Sequence, residues 1–348
     1  MPASPYLPPE WAPQSALLLT WPHAHGDWGG DLEAVEQTFV ALARETAARQ
    51  RLVIACYDDA HRRHVAARLA AAGVAEAAAG LYPAPSNDIW ARDHGPITVL
   101  RDGSPVLLDF SFNGWGRKYP YRLDDALTGL LHEQGAFGAT PREAVRLVLE
   151  GGSIEVDGQG TLLTTLSCLL SPERNPAYDC IGLEGRFGEL FGIRRTHWLE
   201  HGRLAGDDTD GHIDTLARFC DPHTIAHAAC DDPQDEHYAP LRAMAEQLAG
   251  FRDPEGAPYR LIPLPLPAPC YGEDGRRLPA TYANFLLING AVLVPQYDDP
   301  MDALARERLA AAFPQREAVG IDASPLIRQN GSLHCAAMQL PAGVIEST

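Results

Sequence analysis

The chain has 348 residues, with 28 Lys and Arg against 46 Asp and Glu and a net charge of −18. That excess argues against nucleic acid or an anionic membrane as a partner and favours cationic ligands, although acidity also serves plain solubility. The seven cysteines, Cys56, Cys168, Cys180, Cys220, Cys230, Cys270 and Cys335, form an odd, scattered set without a Cys-x-x-Cys pair, which reads as a reducing cytoplasm and not as a disulfide framework or zinc ribbon.

The start, Met1 to Glu10, has neither a basic beginning nor an apolar centre and reads as no signal peptide. Apolar runs such as Ser15 to Thr20 are too short to span a bilayer. Leu32, Val35, Phe39, Leu42 and Ala43 recur at a helical period within Asp31 to Gln50, and Ala60 to Ala72 is a second helical stretch. Strand, tight turn and strand then follow over Pro96 to Phe110, with Arg101-Asp102-Gly103-Ser104 as the turn. The pattern returns at Ser153 to Thr165 around Asp157-Gly158, at Ile213 to His227 around Asp221-Pro222, and at Ala283 to Pro295 around Asn289-Gly290. These hairpins recur roughly every 55 to 70 residues, the mark of a divergent internal repeat. Helices are expected at Leu241 to Leu248, between Pro240 and Gly250, and at Asp302 to Phe313; the Pro-rich Arg252 to Pro269 reads as an extended loop. No low-complexity tail or long linker intervenes, so residues 1–348 read as one domain of repeated β-β-α-type units around a centre.

Each polar motif stands at the end of an expected strand. Asp93 precedes the first hairpin, Glu150 the second, His212 begins the third, and Cys335 precedes a last short strand. Loops at one end of a radial scaffold would bring them together on its axis. Cys335 is a nucleophile candidate because Gly331, Ser332 and His334 give it backbone freedom and polar neighbours; the other six cysteines lack such surroundings, and a buried inert thiol is the commoner state. His212 and Asp214, two apart on an expected strand, would point to one face. Calcium binding by the Asp207 to Asp214 run fails, because the first and twelfth loop positions would be Gly206 and Ala217. No zinc-ligand spacing is present. Taken singly, Asp93 and Glu150 read as a turn carboxylate and a strand-end carboxylate, and Trp90 and Trp115 as core aromatics; together they also suit the walls of a pocket for a planar cation.

Taken jointly, WARDHGP, FNGWG, EGGS, DDTDGHID and the final GSLHC, in this order, with Glu10-Trp11 and Leu19-Thr20-Trp21-Pro22 near the start, resemble the agmatine deiminase family. That family is grouped with the bacterial-type peptidyl-arginine deiminases in the guanidine-modifying, or pentein, superfamily. The resemblance covers nearly the whole chain. It implies an α/β fold, a five-bladed α/β propeller of ββαβ-like pseudo-repeats around a central active site. It implies hydrolysis of agmatine to N-carbamoylputrescine and ammonia, a step of putrescine biosynthesis, through a covalent thiouronium on cysteine and without metal or organic cofactor.

Residue by residue, the resemblance gives Cys335 as nucleophile, His212 as general acid and base, and Glu150 as the catalytic glutamate. Asp93 and Asp214 match the aspartates that hold the guanidinium, and Trp90 a pocket tryptophan. The chain departs from the family pattern in a less Gly-rich run before Cys335 and in Asp208, where Glu is usual in the part of the pocket that meets the far amine. A shorter carboxylate alters reach. Deimination of free arginine or peptidyl-arginine is therefore the second reading; arginine would need a partner for its α-carboxylate, for which Arg117, Arg203 and Arg328 are candidates. A non-catalytic binder of polyamine-like cations is the third. The expected partner is a small cationic guanidine, with no nucleic acid and no membrane; homo-oligomerisation stays open, and Arg252 to Tyr282 is long enough to form a lid.

Overall fold

A computed structural model describes residues 5–346; of the start read as lacking a signal peptide, residues 1–4 lie outside the described residues. The strands, in chain order, are β1 (Gln14–Thr20), β2 (Arg51–Cys56), β3 (Ala79–Pro83), β4 (Ile97–Arg101), β5 (Ser104–Ser111), β6 (Arg142–Val148), β7 (Ile154–Val156), β8 (Thr161–Thr165) and β9 (Arg195–Leu199). They continue with β10 (Ala217–Asp221), β11 (Thr224–Ala228), β12 (Arg260–Leu264), β13 (Leu286–Ile288), β14 (Ala291–Gln296), β15 (Glu317–Asp322) and β16 (Ala337–Pro341).

The strands form five small sheets. In four of them a hairpin, β4-β5, β7-β8, β10-β11 or β13-β14, is followed by a helix and a third strand that pairs in parallel with the second. The crossover helices are Arg122–Glu133, Cys180–Phe191, Tyr238–Gly250 and Met301–Ala312. Parallel neighbours need such a crossover, whereas antiparallel ones need only a turn. At the first turn Asp102 and Gly103 have φ of 51° and 79°, left-handed at both positions as a tight hairpin demands. The middle strands β8 and β11 are buried throughout, because a neighbour flanks each edge and both faces are covered.

The fifth sheet is assembled from sequence-distant pieces. Its order is β16-β1-β2-β3, with β16 antiparallel to β1 and β1 parallel to β2. The helix Leu32–Ala47 is its crossover and turns Val35, Phe39, Leu42 and Ala43 inward, the stripe expected from the sequence. This is a five-bladed α/β propeller.

Three local expectations are corrected. The stretch Arg252 to Pro269 is not a loop throughout, since Arg260–Leu264 is β12, the third strand of its blade. Ala283 lies in a 3-10 turn, Tyr282–Asn284, ahead of β13. His212 and Asp214 are not on a strand: His212 caps a 3-10 turn, Ile213–Thr215, and β10 starts only at Ala217.

Candidate active site

Four blades are entered through a short helical turn: Ala91–His94, Gly151–Ser153, Ile213–Thr215 and Tyr282–Asn284. Successive turns touch one another in that order, and the first also touches β16. These ring contacts at the axis carry Asp93, Glu150, His212 with Asp214, Asn284 and, just before β16, Cys335. Asn284 is the member that sequence reasoning missed. The fourth hairpin alone had been given no polar residue at its entrance, and the repeat itself was the signal that one was due.

The expected catalytic and guanidinium-binding side chains lie in or against one central cavity. Trp90, Asp93, Trp115, Asp208, His212 and Cys335 line it, in a volume of about 310 Å³. Glu150 and Asp214 stand behind that lining, both fully buried. Two glycines allow the close packing. A β-carbon on Gly152 would lie 2.6 Å from His212 Nδ1, 2.9 Å from Asp93 Oδ1 and 3.1 Å from Asp214 Oδ2, and one on Gly331 would lie 2.2 Å from the Trp90 ring.

The carboxylates are fixed by donors. Asp93 Oδ1 accepts from the Gly152 amide at 3.0 Å, and Oδ2 from Trp115 Nε1 at 2.9 Å. Trp115 itself has φ of 55° and ψ of 47°, a left-handed backbone that costs a bulky residue energy and is here held by that bond and by the neighbouring Asn113 turn. Asp214 Oδ2 contacts His334 Nδ1 at 2.7 Å, while its Oδ1 has no partner. His334 Nε2 reaches Glu10 at 2.7 Å, and Glu10 also binds Arg92 and Arg218. Both oxygens of Glu150 accept from Arg174 Nε at 3.0 Å. Arg174 also donates to Asp210 at 2.6 Å and to the Thr209 carbonyl at 2.8 Å. Asp207 accepts from the Thr209 and Gly211 amides. The aspartate-rich run is thus consumed by protein donors, which accounts for its composition without calcium.

Cys335 Sγ lies 3.2 Å from Asn284 Nδ2 and 3.6 Å from Asp214 Oδ2. Burial, then Asp214 and Asp93, push its thiol well above the ordinary range, so the free protein holds it protonated. Burial pushes Asp93 up to about 6 against the pull of His212. Burial alone would lower His212, but Asp93, Cys168 and Glu150 outweigh it and raise its pKa well above normal. Asp214 is held low because His334 overcomes the effect of burial. A cation placed between Asp93 and Asp214 would relieve their mutual repulsion and favour the Cys335 thiolate.

Asp27, Asp88 and Asp208 also line the cavity, near enough to one another for Asp27 and Asp208 to act on Asp88. Asp208 Oδ2 accepts from Tyr119 and from Asn330, each at 2.7 Å. Asp88 is pushed up to about 7, first by withdrawal from water and then by Asp27 and Asp208. Two arginines also reach the cavity, Arg276 and Arg328. Arg328 is bonded to Asp31, and Arg276 lies 3.7 Å from Asp274. Of the arginines considered from sequence, Arg328 is in the lining and Arg117 and Arg203 are not; Arg276, not considered there, comes from the segment read as a lid.

The sequence profile of the Porphyromonas-type peptidyl-arginine deiminases matches residues 6–341. The chain belongs to this family. Among relatives, the agmatine deiminase of Pseudomonas syringae pv. syringae (strain B728a) is 33% identical, over 97% of this chain and 95% of its own. A family structure of C. jejuni agmatine deiminase, a cysteine-to-serine variant with substrate bound, is 37% identical with a TM-score of 0.88, covering 97% of this chain and 96% of that one. A structure from Porphyromonas gingivalis, provisionally named an arginine deiminase, is 47% identical with a TM-score of 0.90, covering 97% of this chain and 99% of that one.

Proposed function

We propose that this family member is an agmatine deiminase, hydrolysing agmatine to N-carbamoylputrescine and ammonia, with Cys335, His212 and Glu150 as its catalytic residues. The observation that carries the reading is the charge pattern of one cavity. Cys335 and Asp93 line it with Asp214 beside the thiol, and Asp27, Asp88 and Asp208 line it too, with two arginines that already face aspartates of their own. Agmatine carries a guanidinium and an ammonium, one for each of these two acidic groups.

Asp93 and Asp214 grip the guanidinium nitrogens and turn the carbon toward Cys335, with Trp90 and Trp115 walling its plane. The bound cation lowers the thiol pKa, and the proton leaves to solvent. The thiolate attacks the guanidinium carbon. Protonated His212 gives its proton to the departing nitrogen, the C–N bond breaks, and ammonia leaves a thiouronium on Cys335. Water then adds to that carbon as His212 takes its proton, and the sulfur departs with the proton of the new hydroxyl as the urea forms. Glu150, locked by Arg174, favours the protonated imidazole throughout. Asp208, together with Asp88, receives the ammonium.

The P. gingivalis neighbour's provisional name keeps free arginine as the second reading. Arginine would bring its α-carboxylate to Asp27, Asp88 and Asp208, where leaving it unpaired costs discrimination. We also propose that residues 1–348 act as one catalytic domain in a reducing cytoplasm. In support, the turns that enter four blades touch one another in order and the first touches β16 of the fifth, and the seven cysteines are all free.

Ammonia release from the purified protein, with agmatine, arginine and a blocked arginyl peptide side by side, tests the reading. Agmatine is expected to be turned over far faster than the others, and Cys335→Ala to abolish turnover while agmatine still binds. Preferred turnover of arginine or peptide would overturn the substrate. Undiminished turnover in Cys335→Ala would overturn the mechanism, and binding without turnover by the unaltered chain would leave a cation-binding protein.

A further inference from the structure

From the sequence Cys168 is expected to lack polar surroundings, and the structure corrects this. Its Sγ, a Glu150 oxygen and a ring nitrogen of His212 all lie within 4.8 Å of one another, and all three residues are buried. Cys168 sits on the short helix Leu166–Leu169, which is capped by the Thr165 side chain. Thr165 Oγ1 also donates to the Gly211 carbonyl at 2.6 Å, and a β-carbon on Gly211 would meet Ser167 Oγ at 2.9 Å. The turn that carries the thiol is thereby fastened to the residue immediately before His212.

His212 needs such a support. Neither of its ring nitrogens makes a hydrogen bond of full geometry, although the residue is fully enclosed, and the Cys168 thiol is the neighbour that interacts with a ring N–H. Asp93 Oδ1 approaches Nδ1 only to 3.7 Å. The ring is therefore held by packing. Glu150 stands within 4.8 Å of a ring nitrogen and is held rigid there by Arg174. A thiol is large and polarisable and accepts weakly, so it can fill space against an imidazole and still favour an N–H turned toward it.

We propose that Cys168 is a positioning residue for His212, the buried thiol that, with Glu150, fixes the orientation of the imidazole at the cavity. A metal bridging the same three atoms is disfavoured, since Arg174 already occupies both Glu150 oxygens. The charged and titratable groups facing the ring are Asp93, Glu150, Cys168 and, beyond Gly152, Asp214; Arg174 stands behind Glu150.

The inference rests on His212 as the proton carrier of the proposed reaction, and the test separates the two. Cys168→Ala should lower kcat about ten- to hundredfold, with KM within about twofold, because a misplaced proton carrier slows the step without loosening the grip on substrate. Cys168→Ser, nearly isosteric, should recover much of that loss and guards against a variant that merely unfolds. His212 titration followed by 15N NMR in the Cys335→Ala background should move to lower pH when Cys168 is also Ala. Unaltered kcat and unaltered His212 titration in folded Cys168→Ala would overturn the proposal. A parent protein inactive on every guanidine would sink the functional reading alone, and the NMR comparison would still decide the role of Cys168.

Discussion

Gly331 lies flat against the ring of Trp90, so close that a β-carbon there would sit 2.2 Å from the ring's Cζ3. Trp90 is in the turn before the first blade, and Gly331 is four residues before Cys335. The contact sets how near the thiol segment comes to the aromatic wall. Gly331→Ala must push one of them away. We expect kcat/KM for agmatine to fall at least about tenfold and stability by about 1–3 kcal/mol, the usual cost of overpacking. Steady-state kinetics and a urea titration check this, and activity within twofold of the parent would show that the wall is not held here.

Asn284 bridges the thiol segment and the third blade. Its Oδ1 accepts from the His334 amide at 2.9 Å and the Cys335 amide at 3.3 Å, and its Nδ2 donates to Cys335 Sγ at 3.2 Å. Asn284→Ala is expected to reduce kcat about tenfold or more by removing a donor to the sulfur. Asn284→Asp keeps the acceptor but sets an anion beside a nascent thiolate, so it should be the slower of the two. Equal rates, or a faster Asp variant, would deny the donor its role.

Burial and two aspartates hold the Cys335 thiol protonated in the free protein. Because its pKa is raised, thiolate accumulates only as pH climbs beyond the ordinary cysteine range. Inactivation of the ligand-free protein by iodoacetamide should therefore keep accelerating past pH 9. A rate that levels off near pH 7 would mean a preformed thiolate, and the substrate's charge would then be unnecessary for activation.

Asp124 is buried in the helix behind the Asp88 segment. Its Oδ1 accepts from the Asn87 and Asp88 amides, its Oδ2 has no partner, and burial and Asp88 push it up to about 8. With a folded pKa above the unfolded one, the folded state holds the proton longer. This contribution to stability is full below about pH 4 and is lost as pH rises toward 8, by at most about 1.4 kcal/mol per pH unit. Asp124→Asn keeps the two accepted bonds and has no proton to lose. It should match the parent below about pH 4 and exceed it increasingly toward pH 8. Parallel stability curves for the two proteins would show that Asp124 does not titrate as its surroundings dictate.

The hairpins were legible because Asp102-Gly103 and Asn289-Gly290 leave the backbone little choice, and the helices Leu32–Ala47, Tyr238–Gly250 and Met301–Ala312 because their apolar patterns are local, whereas Arg122–Glu133 and Cys180–Phe191 were not expected. The fifth blade was not, since pairing β1 with β16 is a contact across almost the whole chain that no local pattern encodes. Strand alternation was also read one element too far: the segment from His212 to Thr215 folds as a tight turn to bring two side chains to the axis. In the site, residues within rich motifs were found, and isolated ones were not. Asn284 and Cys168 stand outside any charge-rich motif in the sequence and gain their neighbours only from the ring.

The pairing of β16 with β1 also governs when a growing chain acquires its chemistry. Once synthesis has passed residue 330, the nascent polypeptide holds every carboxylate of the site and the imidazole, but neither the sulfur nor the strand that closes the ring. Cys335 and β16 emerge together, last, and dock onto β1, made some three hundred residues earlier. A chain halted there has four complete blades and a fifth made of β1, β2 and β3 alone, with cation-attracting groups on display and no nucleophile to turn on what they attract.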